Sequence, residues 1–147
     1  MIKSFRGKMA HDAVKSISLH TNTGSTGYRI VKFETIKDNP GAGSDIEGVL
    51  KIFTIPQTAA TDTIDLSDNT LLAVNYNKMG NTVVDNDDRT IIVDNVKFNQ
   101  DIYLTFKDVT GNENNMNYYL ELEIVSLSLT ENTVATLKDI RNIIRDE

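Results

Sequence analysis

The chain has 147 residues, of which 39% are hydrophobic, and it carries no cysteine and a formal net charge of -6. A chain of this length forms one domain that buries roughly two thirds of the surface exposed by the unfolded chain. The composition excludes disulfides, thiolate metal ligands and a cysteine nucleophile, and no stretch approaches the roughly 20 apolar residues of a membrane-spanning helix.

The charge is unevenly distributed along the chain. Residues 1–37 contain seven Lys and Arg against two acids, a local charge of +5, whereas residues 38–131 contain five against sixteen, a local charge of -11. Folding either spreads these charges evenly or leaves surfaces of opposite sign, which favour contact between copies or with a complementary protein. The acidic middle would repel phosphate, so we expect no direct nucleic-acid partner.

The first predicted element is a basic N-terminal arm, residues 1–11 (MIKSFRGKMAH). It contains Lys3, Arg6 and Lys8 and no acid. We expect these cations to steer the arm toward an acidic protein neighbour, with Phe5 as an apolar anchor. The alternative is a disordered tail that happens to be basic.

Residues 12–129 are predicted to form an antiparallel β-sandwich or jelly roll. Apolar and polar residues alternate with period two in a series of short segments separated by polar turns, which is typical of such folds. The final two strand segments flank the polar loop VTGNENNMN and are predicted to form a long hairpin. In chain order the segments are AVKSISLH, GYRIVKFETI, GVLKIFTI, LLAVNYN, MGNTVV, RTIIVDNV, DIYLTFKDV and NYYLELEIV.

Two of these segments contain apolar runs without alternation, IFTI and TIIV. An apolar run of this kind is buried on both faces. We therefore expect either a second layer of this chain or a partner protein to cover the outward face of each run.

Residues 130–147 are predicted to form an amphipathic α-helix. Val134, Leu137, Ile140 and Ile144 recur at helical spacing. A helix of about four turns is marginal by itself in water, so its apolar stripe should dock either on the sandwich or on a neighbouring subunit.

No motif predicts an enzyme, a cofactor or a metal centre. Asp85, Asp87 and Asp88 supply oxygen ligands of the kind that Ca²⁺ prefers. They lack the glycine and distal glutamate of an EF-hand loop, so a solvated turn is the favoured interpretation. The glycine-rich segments GAGSD and TGSTG lack the lysine of a P-loop and the pattern of a nucleophile elbow.

The segments SFRGKMAHDAV, GYRIVKFETI and NPGAG resemble the start of small virion structural proteins of tailed bacteriophages, particularly those of marine bacteria. The resemblance covers roughly the first 45 residues. It implies a non-enzymatic capsid decoration or cement protein, or a neck or tail component, assembled in the host cytoplasm and located in the virion.

The partners that this resemblance implies are other virion structural proteins, such as the major capsid protein, and further copies of the chain, with no membrane contact. The residues predicted to contact them are Lys3, Phe5, Arg6 and Lys8 of the arm and Leu137, Ile140 and Ile144 of the helix. The alternative function is a carbohydrate-binding or ligand-binding sandwich, in which tyrosines would stack on sugar rings.

Overall fold

The computed structural model describes residues 1–19, 25–40, 45–80, 86–93 and 95–128. These residues form eight β-strands and contain no α-helix. None of the described segments is a helix that could span a membrane. The strands are β1 Ile2–Met9, β2 Val14–Ile17, β3 Thr26–Lys37, β4 Ile46–Phe53, β5 Leu71–Met79, β6 Asp87–Ile92, β7 Ile102–Asp108 and β8 Met116–Ser126.

The strands form two antiparallel sheets in a sandwich-like arrangement. One sheet has three strands in the order β1-β8-β3, and the other has five in the order β2-β7-β4-β5-β6. Both sheets contribute alternate apolar side chains to one core, for example Ile30 and Leu120 from the first and Leu50 and Phe106 from the second. The prediction of an all-β chain with antiparallel sheets is confirmed. The predicted helix of residues 130–147 lies outside the described residues.

The segment predicted as a basic arm is an edge strand in the structure. All eight residues of β1 pair with β8, from Ile2 opposite Glu123 to Met9 opposite Met116. Met9 is only 1% exposed, and Phe5 packs against the core. Because the segment buries apolar side chains and gains backbone hydrogen bonds, it belongs to the sandwich.

The prediction of a hairpin between the last two strands is wrong. β7 lies in the five-stranded sheet and β8 in the three-stranded sheet, so the loop between them crosses from one sheet to the other. Asp108, at the end of β7, is 2% exposed and organises this crossing. Its carboxylate accepts hydrogen bonds from the N–H of Thr110 (3.0 Å) and the N–H of Asn114 (3.0 Å), and from the side chains of both residues.

Residues 54–70, between β4 and β5, cover part of the outward face of the five-stranded sheet. Lys51 of β4 points to this face, where its Nζ donates to Thr61 Oγ1 (2.8 Å) and to the carbonyl oxygen of Thr63 (2.7 Å). Its neighbours Val49 and Phe53 are also buried. Residues of the same chain therefore cover the outward face of the run IFTI, which is one of the two alternatives that the sequence left open.

Candidate protein-interaction surfaces

The four predicted contact residues of the N-terminal segment are divided between the two faces of β1. Side chains alternate along a strand, and the burial of Met9 shows which set points inward. Lys3 and Phe5 share the inward face with Met9, and the Nζ of Lys3 lies 5.5 Å from the centre of the Phe5 ring. Arg6 and Lys8 lie on the outward face. Phe5, predicted as an apolar anchor for a partner, is partly buried against the core.

The second feature of β1 is its outer edge, the side away from β8. β1 is the last strand of its sheet, so the backbone groups on the side away from β8 pair with no strand among the described residues. Ile2, Lys3, Ser4 and Arg6 are exposed along this edge. An unpaired edge of this length is a template for pairing with another extended segment.

Arg6 carries the unneutralised positive charge of this outward face. Lys8 lies 3.8 Å from the carboxylate of Asp38, whereas no acidic side chain within the described part of the chain pairs with Arg6. Its cross-strand neighbour is Tyr119, a residue that is not acidic. Arg6 can thus pair with a carboxylate of another protein without breaking an ion pair to any of the described residues.

The centre of this outward face is a tyrosine among paired charges. The hydroxyl of Tyr119 donates to Glu121 Oε1 (2.8 Å), and this hydrogen bond, together with partial burial, raises the pKa of the tyrosine. Arg29 donates from Nε (2.9 Å) and Nη2 (2.6 Å) to one oxygen of Glu123. These internal pairs fix the side chains of the face, whereas Arg6 has no acidic partner within the described ranges.

The other predicted contact residues, Leu137, Ile140 and Ile144, lie outside the described residues.

A second surface lies beside β6, the edge strand at the far end of the five-stranded sheet. Here the outward face carries an open apolar groove of about 290 Å³. Ile91 is 46% exposed at this groove. The side chains that line it are Ile64, Val74, Tyr76, Asp87, Arg89 and Ile91.

The polar side chains of the groove are mutually paired. Tyr76 donates from its hydroxyl to Glu47 Oε1 (2.9 Å). Burial, this hydrogen bond and the negative charges of Glu47 and Asp87 raise the pKa of Tyr76. Arg89 approaches Asp87 at 3.0 Å, although its side chain is 76% exposed. Since that guanidinium is largely solvated, its pairing with Asp87 is weak, and both groups can contact a second protein.

Comparison with known proteins gives no match: no family model matches the chain, and neither the curated proteins nor the solved structures contain a significant match.

The strand geometry separates the side chains of the acidic cluster that the sequence offered as a cation site. Asp85 lies outside the described residues, and Asp87 and Asp88 are consecutive in β6, so their side chains point to opposite faces. Asp88 Oδ1 accepts a hydrogen bond from Asn75 Nδ2 (2.9 Å) on the inward face. Within the described residues, no three His, Cys, Asp or Glu side chains are placed to share a metal ion.

Sequence reasoning missed the groove beside β6, although it identified the run TIIV that contains Ile91. The lack of alternation in that run was the available signal. Tyr76 and Val74 enter the groove because β5 pairs with β6, with Tyr76 opposite Arg89 and Val74 opposite Ile91. That pairing joins residues more than ten positions apart, so no local sequence pattern predicts it.

Proposed function

We propose that this protein is a non-enzymatic structural protein of a virion, which attaches to a capsid, neck or tail assembly through its edge strand β1. The observation that carries the proposal is the exposed outer edge of this eight-residue strand, which pairs with no further strand among the described residues. Arg6 lies beside this edge and pairs with no acidic side chain in the same part of the chain. The resemblance of residues 1–45 to virion structural proteins of tailed bacteriophages supports the choice of assembly.

Attachment through β1 would use two kinds of contact. The backbone of an extended segment of the partner would continue the three-stranded sheet, and alternate side chains would fix the register. Acidic residues of the partner would pair with Arg6 and with Lys8, which is only loosely bound to Asp38 at 3.8 Å. The major capsid protein is one such partner. Many copies on a symmetric lattice would turn modest individual affinities into stable attachment through avidity.

The proposed helix of residues 130–147 would add a second contact. Its stripe of Leu137, Ile140 and Ile144 is apolar and would pack against a neighbouring subunit. Two contacts on one chain act in concert, so each can be weak.

The test is incorporation of charge-reversed protein into particles. Phage lacking this gene product would be complemented with wild type, with Arg6→Glu, or with Lys32→Glu as a control on the outward face of β3. The measurement is the amount of the protein per copy of the major capsid protein in gradient-purified virions, by quantitative mass spectrometry. We expect Arg6→Glu to reduce incorporation at least tenfold and Lys32→Glu to leave it near wild type. Wild-type incorporation of a folded Arg6→Glu protein, or absence of the wild-type protein from virions, would refute the proposal.

A ligand-binding module is the second candidate, and the groove beside β6 is the observation that favours it. Tyr76 and Val74 give it an apolar floor, while Asp87 and Arg89 supply hydrogen-bonding groups at its rim. A small glycan would stack on such a surface. A glycan array probed with wild type and with Tyr76→Ala tests this candidate, and binding that is absent, or equal for both proteins, dismisses it.

A further inference from the structure

The outward face of the five-stranded sheet carries an apolar surface at the groove beside β6. Ile91 of β6 is 46% exposed there, and Ile64, which lines the groove from the loop of residues 54–70, is 39% exposed. Leu66, two residues further along this loop, is 60% exposed. Exposed apolar side chains that share one groove are typical of a protein-interaction site.

The charges around this apolar surface are predominantly negative. Residues 54–70 contain three aspartates and no lysine or arginine. On this loop and on the outward face of β4, β5 and β6, the carboxylates are Glu47, Asp62, Asp65, Asp68 and Asp87, and the cations are Lys51, Lys78 and Arg89. Lys51 is buried beneath the loop, where it donates to Thr61 and Thr63. The surface that a partner would meet is therefore apolar with an acidic border.

Residues 130–147, here called the tail, have the complementary pattern if they form the predicted helix. Both the apolar residues and the cations recur at spacings of three and four, so each set forms a stripe along the helix, and the two stripes are adjacent. The apolar stripe is Leu137, Ile140 and Ile144. The cationic stripe is Lys138, Arg141 and Arg145. The acids are Asp139 and Asp146 on the far side of such a helix, and Glu131 and Glu147 at its two ends.

The two patterns fit each other. An amphipathic helix binds by laying its apolar face into a groove, which would shield Ile64 and Ile91 from water. The neighbouring cationic stripe would then face the aspartates of the loop of residues 54–70. Such complementarity of charge selects the orientation of the helix and accelerates association.

A second copy presents this groove to the tail more directly than the same copy does. The described part of the chain ends at Ser128, beyond β8 of the three-stranded sheet, whereas the groove lies on the outward face of the other sheet. Stacked sheets lie about 10 Å apart, so a tail that packs on its own copy must first pass around the sandwich.

We propose that the tail of one copy docks as an amphipathic helix in the groove beside β6 of a second copy. Its apolar stripe lies over Ile64 and Ile91, and its cationic stripe faces the loop of residues 54–70. The contact joins two different surfaces, so it repeats from copy to copy and builds a ring if the rotation closes, or a filament if it does not. This inference rests on the proposed function, since it names the surface of the neighbouring subunit that the helix contacts.

Mixing two full-length variants provides the first test. Ile91→Glu blocks the groove and leaves the tail intact, whereas Ile140→Asp blocks the tail and leaves the groove intact. Sedimentation velocity measures association, and circular dichroism verifies folding. We expect each variant by itself to associate roughly tenfold more weakly than wild type, because a carboxylate would be buried in the apolar contact. An equimolar mixture should form a dimer with one copy of each variant, which grows no further.

The matched control is Ile36→Glu, because Ile36 is 65% exposed but lies on the outward face of the three-stranded sheet. It should associate as wild type does. A mixture that stays monomeric, or a control that loses as much association as Ile91→Glu, would overturn the proposal. A wild type that is monomeric at every concentration would overturn it too, and is the result expected if the tail docks on its own copy or the groove binds only a glycan.

Cross-linking provides the second test, because the wild-type chain has no cysteine. Full-length Ile91→Cys and Ile140→Cys proteins would be mixed, treated with a short bismaleimide and analysed on denaturing gels. The two cysteines are on separate chains, so a cross-link reports contact between copies. We expect a heterodimer as the main product, and much less of it when Ile36→Cys replaces Ile91→Cys. Equal cross-linking in both mixtures, or none in the first, would overturn the proposal.

Charge reversal tests the acidic border. We expect Asp62→Lys to weaken association of the full chain about fivefold, whereas Glu34→Lys, an exposed change on the outward face of the other sheet, should leave it near wild type. Equal effects of the two substitutions would contradict the assigned orientation of the helix.

The two proposals fail in different ways. A monomeric wild type whose Arg6→Glu variant is lost from virions would refute the docking of the tail and leave the virion function standing. Association through the groove, with Arg6→Glu retained in virions, would refute the virion function and leave the docking standing.

Discussion

Replacing Asp108 by alanine is expected to weaken the crossing from the five-stranded to the three-stranded sheet. The change removes the carboxylate that accepts from the backbone N–H groups of Thr110 and Asn114, each at 3.0 Å. The side chains of the same two residues lose this acceptor as well, at 2.7 and 2.9 Å, and keep the carbonyl oxygen of Asp45, at 3.4 and 2.8 Å.

The magnitude follows from the cost of leaving these donors without an acceptor. A buried donor that loses its partner costs about 1–3 kcal/mol, and water can reach part of this loop. We therefore expect the free energy of unfolding to fall by about 2–4 kcal/mol, the upper part of the usual range for a single substitution. With a denaturant slope of about 2 kcal/mol/M for a small domain in urea, the midpoint would move by roughly 1–2 M.

The effect should also depend on pH. Burial of Asp108 acts to raise its pKa, but the hydrogen bonds from Thr110 and Asn114 outweigh burial and lower the pKa below its ordinary value. A carboxyl whose folded pKa lies below its unfolded value of about 3.9 stabilises the protein above that value, and this contribution is lost as the pH falls through the folded pKa. The difference between wild type and Asp108→Ala should therefore be constant from pH 6 to 8 and shrink below about pH 4.

The assay is urea unfolding followed by circular dichroism at pH 7 and at pH 3, with Asp65→Ala as the matched control. Asp65 makes the same local pattern of bonds, accepting from the N–H and hydroxyl of Ser67 two residues further on, but it is exposed. We expect a much smaller loss for the control. Equal losses for the two variants, or a wild-type midpoint for Asp108→Ala, would refute the reasoning that burial makes this acceptor important.

Three further results are expected. Deleting residues 1–10 should lower the unfolding midpoint strongly in urea, because Met9 leaves the core and β8 loses a neighbouring strand. Gly48→Ala should cost about 1–3 kcal/mol in the same assay, because the added Cβ would lie 2.8 Å from the Phe106 ring. Lys51→Met should gain less stability than wild type as the pH rises from 8 toward 10.5, measured by urea unfolding at each pH. Burial lowers the pKa of Lys51 although Asp62 and Asp68 act to raise it, so the unfolded chain binds more protons in that range and the wild type gains stability as the pH rises.

Each of these results has its own control. A deletion variant as stable as wild type would show that residues 1–10 are a dispensable arm after all. For Gly48→Ala, adding Phe106→Leu should recover part of the loss in a double-mutant cycle, and strict additivity would contradict a direct clash. For Lys51, a Lys51→Met variant whose stability rises with pH as steeply as that of the wild type would contradict the role of burial.

The alternation of side chains was sufficient to predict several strands. In DIYLTFKDV, Ile102, Leu104 and Phe106 are buried on the inward face of β7, as their spacing predicted. Alternation was not sufficient for β1, where Ile2 faces outward while Phe5 and Met9 face inward, so the apolar residues show no regular period. The segment also contains three cations and no acid, and this charge pattern favoured the prediction of a basic arm over that of a strand.

Sheet assignment was the point at which sequence reasoning failed. A polar loop between two alternating segments indicates a hairpin when only the loop length is considered. Instead, the carboxylate of Asp108 accepts from the N–H groups of Thr110 and Asn114 in that loop, and the chain continues into β8 in the other sheet. The same limitation hid the groove, because Tyr76 and Arg89 become neighbours only through the pairing of β5 with β6.

The sequence by itself determined the all-β character, the antiparallel strand segments and the uneven charge, because period-two alternation and composition are local properties. Tertiary structure alone decided that β1 and β6 are among the strands left at the sheet edges, that Arg6 pairs with no acidic side chain among the described residues, and that Ile91 is exposed while Phe53 is buried. The physical reason is that strand order and burial depend on pairing between distant segments, whose stability is a property of the whole core rather than of any one segment.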